Sequence, residues 1–265
     1  MTTYSSASGL AAPVPADMHG KAVDAADSRP RFTANDRDRC ATISHLPDLL
    51  RAMRPIERSA VRRILDVGCG YGGLTRFIRE EFDAAEAHGI DIDSGTLAEA
   101  RTKGVDARLC ALGSDRLPYP DGHFELITAL GMLDYLMTFD DAIRELHRVA
   151  TVGGHVVVAL PNLASWHNRL ALLLGYQPRD VEVSAYGPFG VAPWHQGDGS
   201  TGHVHSVTVA CFRELMEHHG FRTVAITSGQ PRGRQRSRFA TLVDTALSFT
   251  PTLSRRFFYV GVKQR

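Results

Sequence analysis

This chain of 265 residues lacks long apolar runs, paired cysteines and any large excess of one charge. No stretch approaches the ~18 consecutive apolar residues that a membrane-spanning helix needs. The four cysteines (Cys40, Cys69, Cys110 and Cys211) are widely spaced, which argues against a disulfide framework or a structural zinc site and is typical of a reducing cytosol. A net charge of +1 provides no electrostatic attraction of the whole protein to nucleic acid or membranes. The N-terminal residues do not have the pattern of a secretory signal peptide. We therefore expect a soluble, cytoplasmic globular protein.

Large apolar side chains are scarce in residues 1–35, which are rich in Ala, Ser, Asp and Pro. Such a segment cannot bury enough surface to offset its ordering entropy, so we predict a disordered tail there. Order is expected to begin near Asp36, ahead of a helix in "RCATISHLPDLLRAM", and residues 36–265 are expected to form one domain.

From residue 62 onward, strand patterns alternate with helix patterns, which is typical of a parallel sheet with helices on both faces. Seven segments have the apolar character of strands: "RRILDV", "AEAHGIDI", "VDARLCAL", "HFELITALGM", "GHVVVALP", "FRTVAITS" and "FFYVGVKQR". Ser94 is the expected N-cap of the second helix and Thr208 that of the last, and little helix is expected between the final two strands. We predict a doubly wound, Rossmann-like α/β fold whose seven-stranded sheet is mostly parallel with an antiparallel edge strand.

The stretch "ILDVGCGYGGLT", from Ile64 to Thr75, places four glycines directly after the first strand. Its glycines fit both G-x-G-x-x-G, a dinucleotide fingerprint, and G-x-G-x-G, a turn used for S-adenosylmethionine. Without a Cβ the backbone can approach a ligand closely, and the N-terminus of the next helix favours an anionic group. Asp91, which ends the second strand, offers acceptors for ribose hydroxyls in either case. The turn alone leaves both cofactors open.

Five segments occur together in the order of one family: "ILDVGCGYGGLT", "GIDID", "LPYPDGHFELITALGMLDYL", "IRELHRVATVGGHVVVALPN" and "GHVHSVTVACFRELMEHHGF". As a set they resemble the class I S-adenosylmethionine-dependent methyltransferases, in particular the small-molecule, type 11-like branch. The resemblance implies S-adenosylmethionine as cofactor, a small-molecule acceptor, no nucleic acid, no integral membrane contact and no metal.

The resemblance also implies which residues hold the cofactor. The glycine turn would cradle the methionine part, Asp66 would orient the turn, Asp91 would bind ribose and Ile92 would lie against adenine. The implied cofactor-binding residues are Asp66, Gly68, Cys69, Gly70, Gly72, Asp91, Ile92, Ala111, Leu112 and Leu130. Ala111 stands where many relatives have an aspartate, so adenine would be read by backbone groups or by Asp115.

Two residues are candidates for the chemistry. His203 follows a long segment, residues 161–206, that we predict to be a lid or substrate insertion. A neutral imidazole can accept a proton near pH 7, so His203 is a candidate base, and Tyr135 after the fourth strand is a candidate substrate contact. His203 and His205 lack a third ligand at metal-binding spacing. The arginine run at Arg232, Arg234, Arg236 and Arg238 is expected to be a solvated face, or a binding site for an anion.

Two other functions share this pattern. The run "PN…RL…LLG", from Pro161 to Gly175, is similar to methionine-biosynthesis W-type proteins on the same fold, which serve as partners of another enzyme. The change of the family's frequent Glu-His to Asp134-Tyr135 keeps that alternative open. A nicotinamide-dependent oxidoreductase would use the same glycine turn. It would have no use for the "RVATVGG" segment.

Overall fold

The computed structural model of the protein describes residues 32–39, 41–184, 186–195, 202–230 and 238–265. These belong to a compact unit that covers residues 31–265. Residues 1–31 of the predicted disordered tail lie outside the described residues. Arg232, Arg234 and Arg236 of the predicted arginine run lie outside them as well. A helix that the sequence did not predict begins at Ala34, and the predicted helix in "RCATISHLPDLLRAM" follows it over Leu46–Met53.

Seven strands form one sheet in the order β3-β2-β1-β4-β5-β7-β6. They are β1 (Arg63–Val67), β2 (Glu86–Asp91), β3 (Asp106–Leu109), β4 (Phe124–Leu130), β5 (Ala150–Pro161), β6 (Phe221–Gly229) and β7 (Arg256–Lys263). The first five are parallel, and β7 runs antiparallel to both of its neighbours, β5 and β6. The predicted mixed seven-stranded sheet is confirmed, with the antiparallel strand one position in from the edge strand β6.

Eight α-helices lie among the described residues. They are α1 (Ala34–Arg39), α2 (Leu46–Met53), α3 (Gly73–Phe82), α4 (Ser94–Thr102), α5 (Asp140–Val149), α6 (Trp166–Leu173), α7 (Val209–His218) and α8 (Arg238–Leu247). Thr208 caps α7 as predicted, since its side chain accepts the Cys211 N–H. The prediction for α4 was wrong by one residue: Asp93 is the N-cap, because its carboxylate accepts the Gly95 N–H. Helix α8 separates the last two strands more than the sequence indicated.

Both faces of the sheet are covered, because neighbouring apolar residues in a strand point to opposite sides. Leu65 belongs to a buried cluster that includes apolar residues of α5 and α7. Ile64 belongs to a second cluster that includes residues of α2 and α3. Within the described ranges, no helix is both long and apolar enough to cross a bilayer.

Candidate functional site

A cleft opens at the carboxyl ends of β1 and β4, where the turn after β1 meets the residues after β4. Val67, the last residue of β1, pairs with Ile90 of β2 and Ala129 of β4, so these three strands end at the same level. Ligands of open parallel sheets bind at this edge. The cleft is lined by Asp36, Ile43, Asp66, Gly68, Cys69, Gly70, Tyr71, Gly73, Leu74, Leu130 and Gly131. Five of the predicted cofactor residues are therefore brought together there: Asp66, Gly68, Cys69, Gly70 and Leu130.

The glycines of the turn serve different purposes. Gly68, Gly70 and Gly72 all have the left-handed φ values that glycine tolerates best. A Cβ added at Gly70 would meet no atom of the described residues within 4 Å, so it would project into open space. A Cβ added at Gly72 would lie 2.9 Å from the Cα of Ala100 in α4. Gly70 thus keeps the cleft open, whereas Gly72 allows close packing of the turn against α4.

We expect this difference to separate two matched variants. Gly70→Ala should abolish binding of S-adenosylhomocysteine and lower the free energy of unfolding by only ~1–2 kcal/mol, the cost of a left-handed alanine. Gly72→Ala should destabilise the fold more, because its methyl group collides with backbone. Calorimetric titration and urea denaturation measure the two effects. A Gly70→Ala protein that binds normally would contradict the placement of the ligand over this turn.

Asp91 joins the turn to the end of β2. One carboxylate oxygen accepts the Gly70 N–H at 2.8 Å, and the other accepts the Asp93 N–H at 2.9 Å. Each oxygen has a second lone pair, so the carboxylate can still accept two hydroxyl donors. Asp91 is therefore positioned beside the turn with the acceptor capacity that ribose requires.

The predicted adenine-side residues lie next to Asp91, outside the residues that line the cleft. The Cys110 N–H donates to the Asp91 carbonyl, which fixes the following Ala111 and Leu112 near it. Leu112 is buried in the core, and the Ala111 N–H is already bound by the Asp115 carboxylate at 2.9 Å. Ile92 follows Asp91 and keeps 74% of its surface exposed, as several other large apolar side chains of the described residues do.

Asp66 is buried beneath the turn between two hydroxyls. It accepts hydrogen bonds from Thr75 of α3 at 2.5 Å and from Thr128 of β4 at 2.6 Å. It thereby ties α3 to the sheet, in keeping with a role in orienting the turn. Burial raises the pKa of Asp66 from 3.8 to about 6, and the two hydroxyl bonds only partly oppose that rise.

The raised pKa gives an expected pH dependence of stability. A carboxyl with a higher pKa in the folded state stabilises the fold below pH ~4, and this contribution is lost as the pH rises through 6. The shift corresponds to ~3 kcal/mol. We therefore expect Asp66→Asn to gain up to ~3 kcal/mol relative to the parent protein between pH 4 and pH 7, measured by urea denaturation. The surface substitution Asp83→Asn is the matched control, and parallel curves for Asp66→Asn and the parent would contradict the raised pKa.

A carboxylate that the sequence analysis did not predict for this site binds the N-terminus of α3. Asp36 of α1 accepts the Gly73 N–H at 3.0 Å. It also binds the ammonium group of Lys103, which in turn donates to the Tyr71 carbonyl at 2.8 Å. The expected anion at this helix terminus is thus supplied by the chain itself.

A second cluster lies just beyond the cleft, where a short 3₁₀ helix, Leu133–Tyr135, follows β4. His203 Nε2 lies 2.9 Å from a carboxylate oxygen of Asp134, and the Tyr135 ring packs edge-on against the imidazole at 5.3 Å. The backbone N–H groups of Val204 and His205 both donate to the Asp134 carbonyl. These contacts hold the end of the 161–206 segment against the end of β4. Sequence reasoning identified His203 and Tyr135 as candidates but missed Asp134 as the partner.

The His203 imidazole has a buried nitrogen without a partner. The carboxylate of Asp134 is an acceptor, so it orients the Nε2–H and leaves the lone pair on Nδ1. Nδ1 is buried and has no hydrogen-bond partner among the described residues, and the same holds for the second carboxylate oxygen of Asp134. Desolvation, and to a smaller extent Asp134, raises the pKa of Tyr135, so its phenol stays protonated although half of the side chain is exposed.

Three potential metal ligands, Glu86, His88 and His123, come within 4.8 Å of one another at the opposite, amino-terminal edge of the sheet. His88 has a carboxylate 3.1 Å from each ring nitrogen, Glu86 on one side and Asp106 on the other. Burial and the neighbouring charge of Arg63 lower the pKa of His123. This group is away from the cleft, and we assign it no part in the chemistry.

The residues that line the cleft, together with Asp91 beside the glycine turn, fit S-adenosylmethionine. Gly70 leaves room where a side chain would fill the turn, and Asp91 has free acceptor capacity at the end of β2. The leucine at position 130 adds an apolar wall at the end of β4. These are the groups that a nucleoside with an amino-acid tail would meet.

Comparison with known proteins agrees with this geometry. Residues 65–158 match a family model described as a methyltransferase domain, of type 11. A demethylmenaquinone methyltransferase of Thermus thermophilus is 35% identical over 41% of this chain and 51% of its own length. A malonyl-[acyl-carrier protein] O-methyltransferase of Enterobacter lignolyticus is 31% identical over 44% of this chain and 45% of its own length. The chain thus spans about half the length of the curated relatives it matches.

Solved structures agree on the fold. The S-adenosylmethionine-dependent methyltransferase from Mesorhizobium loti superposes with a TM-score of 0.56 at 20% identity, covering 83% of this chain and 98% of that one. At that identity the likeness concerns the fold alone. Residues 65–158 are thus similar to methyltransferase domains of type 11, and the chain has the fold of the S-adenosylmethionine-dependent methyltransferases.

Proposed function

We propose that the chain transfers the methyl group of S-adenosylmethionine to an oxygen, nitrogen or carbon nucleophile of a small-molecule acceptor, with His203 as the general base. The observation that carries this proposal is the buried Nδ1 of His203, which has no partner in the described part of the chain while Asp134 binds Nε2. A buried acceptor without a donor costs ~1–3 kcal/mol. A hydroxyl or amine of the acceptor would supply the missing donor.

The cofactor supplies an activated methyl group, so the chain's residues have to position the acceptor and accept its proton. Asp134 keeps the lone pair of His203 on Nδ1 and would stabilise the imidazolium that forms. Nδ1 takes the proton of the nucleophile, a step worth ~10²–10⁴ in rate. Tyr135 packs on the imidazole and keeps its phenol proton, so it is suited to bind the acceptor.

The 161–206 segment is proposed to cover the acceptor. Its support is the pair of hydrogen bonds from Val204 and His205 to the Asp134 carbonyl, which holds the end of the segment beside the cleft. The two relatives are named for different acceptors, demethylmenaquinone and malonyl-[acyl-carrier protein]. The acceptor of this chain is therefore defined here only as a small molecule. A cytoplasmic location stays a prediction from the cysteine pattern.

Titration calorimetry with S-adenosylhomocysteine and with NAD⁺ tests the cofactor directly. Binding of NAD⁺ alone would favour the oxidoreductase. Methyl transfer is then followed by mass spectrometry, with trideuteromethyl S-adenosylmethionine and fractions of a small-molecule cell extract. A labelled product that His203→Ala fails to form would support the proposal. Cofactor binding without a labelled product, and with co-purification of a biosynthetic enzyme, would favour the partner protein.

A further inference from the structure

Arg256 is the first residue of β7, and the direction of that strand brings it to the functional edge of the sheet. Because β7 is antiparallel, its first residue pairs with Pro161, the last residue of β5. The start of β7 thus lies at the edge where the parallel strands end. The sequence alone does not indicate that Arg256 lies at this edge, because the direction of β7 must be known first.

The guanidinium extends toward the residues between the cleft and the His203 cluster. A Cβ added at Gly131, which lines the cleft, would lie 3.4 Å from Nη1 of Arg256. The positive charge also acts on Tyr135, where it opposes the rise in the pKa of the phenol. The Arg256 guanidinium therefore lies beside Gly131, and its charge reaches Tyr135.

Arg256 has no counter-charge within the described ranges of the chain. Its Nη1 is buried and has no hydrogen-bond partner among those residues. Among the described residues no ion pair of its side chain is found, whereas the adjacent Arg255 lies 3.0 Å from a carboxylate oxygen of Asp244. A buried guanidinium nitrogen without an acceptor is costly, and an arginine cannot lose its proton to relieve that cost.

We infer that Arg256 binds a carboxylate of the methyl acceptor, an inference that rests on the function proposed above. A carboxylate matches the single positive charge and the planar, forked donors of a guanidinium. The acceptor would then carry its nucleophile toward His203 and its carboxylate toward Arg256.

A carboxylate could also come from the methionine part of the cofactor, but the strand order favours the acceptor. Strands β4 and β5 separate β7 from β1, so Arg256 starts three strand spacings, roughly 14 Å, from the glycine turn. Asp91 lies on the far side of that turn, at the end of β2. Arg256 thus enters from the side of Tyr135 and His203.

Matched probes test this inference at saturating S-adenosylhomocysteine. We would titrate the parent protein with 4-hydroxybenzoate, 4-hydroxybenzamide and phenyl phosphate, and repeat the titrations with Arg256→Gln and Arg256→Lys. Arg222→Gln, on the neighbouring strand β6, is the control. The parent and the control should bind the carboxylate at least tenfold more tightly than the amide. Arg256→Gln should abolish this difference and Arg256→Lys should restore part of it, each with unchanged affinity for S-adenosylhomocysteine.

The other outcomes overturn the inference in distinguishable ways. A tenfold loss of S-adenosylhomocysteine affinity in Arg256→Gln would assign the arginine to the cofactor carboxylate. If the parent protein preferred phenyl phosphate, the ligand of Arg256 would be a phosphate and not a carboxylate. If the parent bound the acid and the amide equally well, Arg256 would not form an anion-binding site. Failure of the parent to bind S-adenosylhomocysteine would instead refute the proposed function. Thermal melting of the two Arg256 variants shows whether both remain folded.

Discussion

Replacing His203 by alanine is expected to lower kcat by a factor of ~10²–10⁴ and to leave the affinity for S-adenosylhomocysteine nearly unchanged. The reason is that the imidazole contacts Asp134 and Tyr135 beyond the cleft, so its loss removes a proton acceptor without altering the glycine turn. Single-turnover rates at saturating cofactor, with the acceptor found by isotope labelling, measure the effect.

Two further measurements separate a base from a binding residue. The pH–rate profile of the parent should have an ascending limb that His203→Ala lacks. Asp134→Asn keeps the shape of the partner but can donate to Nε2, which favours the tautomer with the proton on Nδ1, so it should also lower kcat. A His203→Ala enzyme with normal kcat and raised KM would show that the imidazole only binds the acceptor.

Asp91→Ala is expected to weaken S-adenosylhomocysteine binding by roughly 30-fold or more. The variant removes charged hydrogen bonds to the ribose hydroxyls, each worth ~1.5–3 kcal/mol and not fully additive. It also frees the Gly70 N–H, which the Asp91 carboxylate holds at 2.8 Å. Calorimetric titration of both proteins gives the ratio of the dissociation constants.

Asp115→Ala is the comparison for this prediction. The Asp115 carboxylate accepts the Ala111 N–H at 2.9 Å, so its loss should cost about 1 kcal/mol, or roughly fivefold in affinity, if Ala111 lies beside adenine. An Asp91→Ala protein that binds within a few-fold of the parent would refute the assignment of Asp91 to ribose. If Asp115→Ala lowered the affinity for S-adenosylhomocysteine as much as Asp91→Ala does, contacts on the adenine side would dominate binding of the nucleoside.

The sequence could predict the sheet and the turn because both depend on local patterns. Alternating strands and helices predict that the strands of the sheet are parallel. The glycines after β1 indicate that the backbone approaches a ligand closely there. Thr208 was identified as a helix cap from its position alone. Ser94 was not the cap of α4, because Asp93 precedes it and offers a stronger acceptor.

The residues that could not be predicted are those defined by contacts between distant segments. The change from Glu-His to Asp134-Tyr135 kept a partner protein open as an alternative function, yet Asp134 is the residue that binds His203. Arg256 has no motif around it, and its place follows from the antiparallel direction of β7. Neither pairing leaves a periodic signal in the sequence.

The contact of Asp36 with Gly73 limits how far the N-terminus of this protein can be truncated without loss of the cofactor site. The family match begins at residue 65, but the turn inside it is completed by a carboxylate 37 positions earlier than Gly73. Thr33 in turn binds that carboxylate through its backbone N–H at 2.9 Å and its hydroxyl at 2.8 Å. A fragment trimmed to the matched segment would lose this support along with His203 and Arg256. The smallest autonomous cofactor-binding fragment is therefore expected to start no later than Thr33.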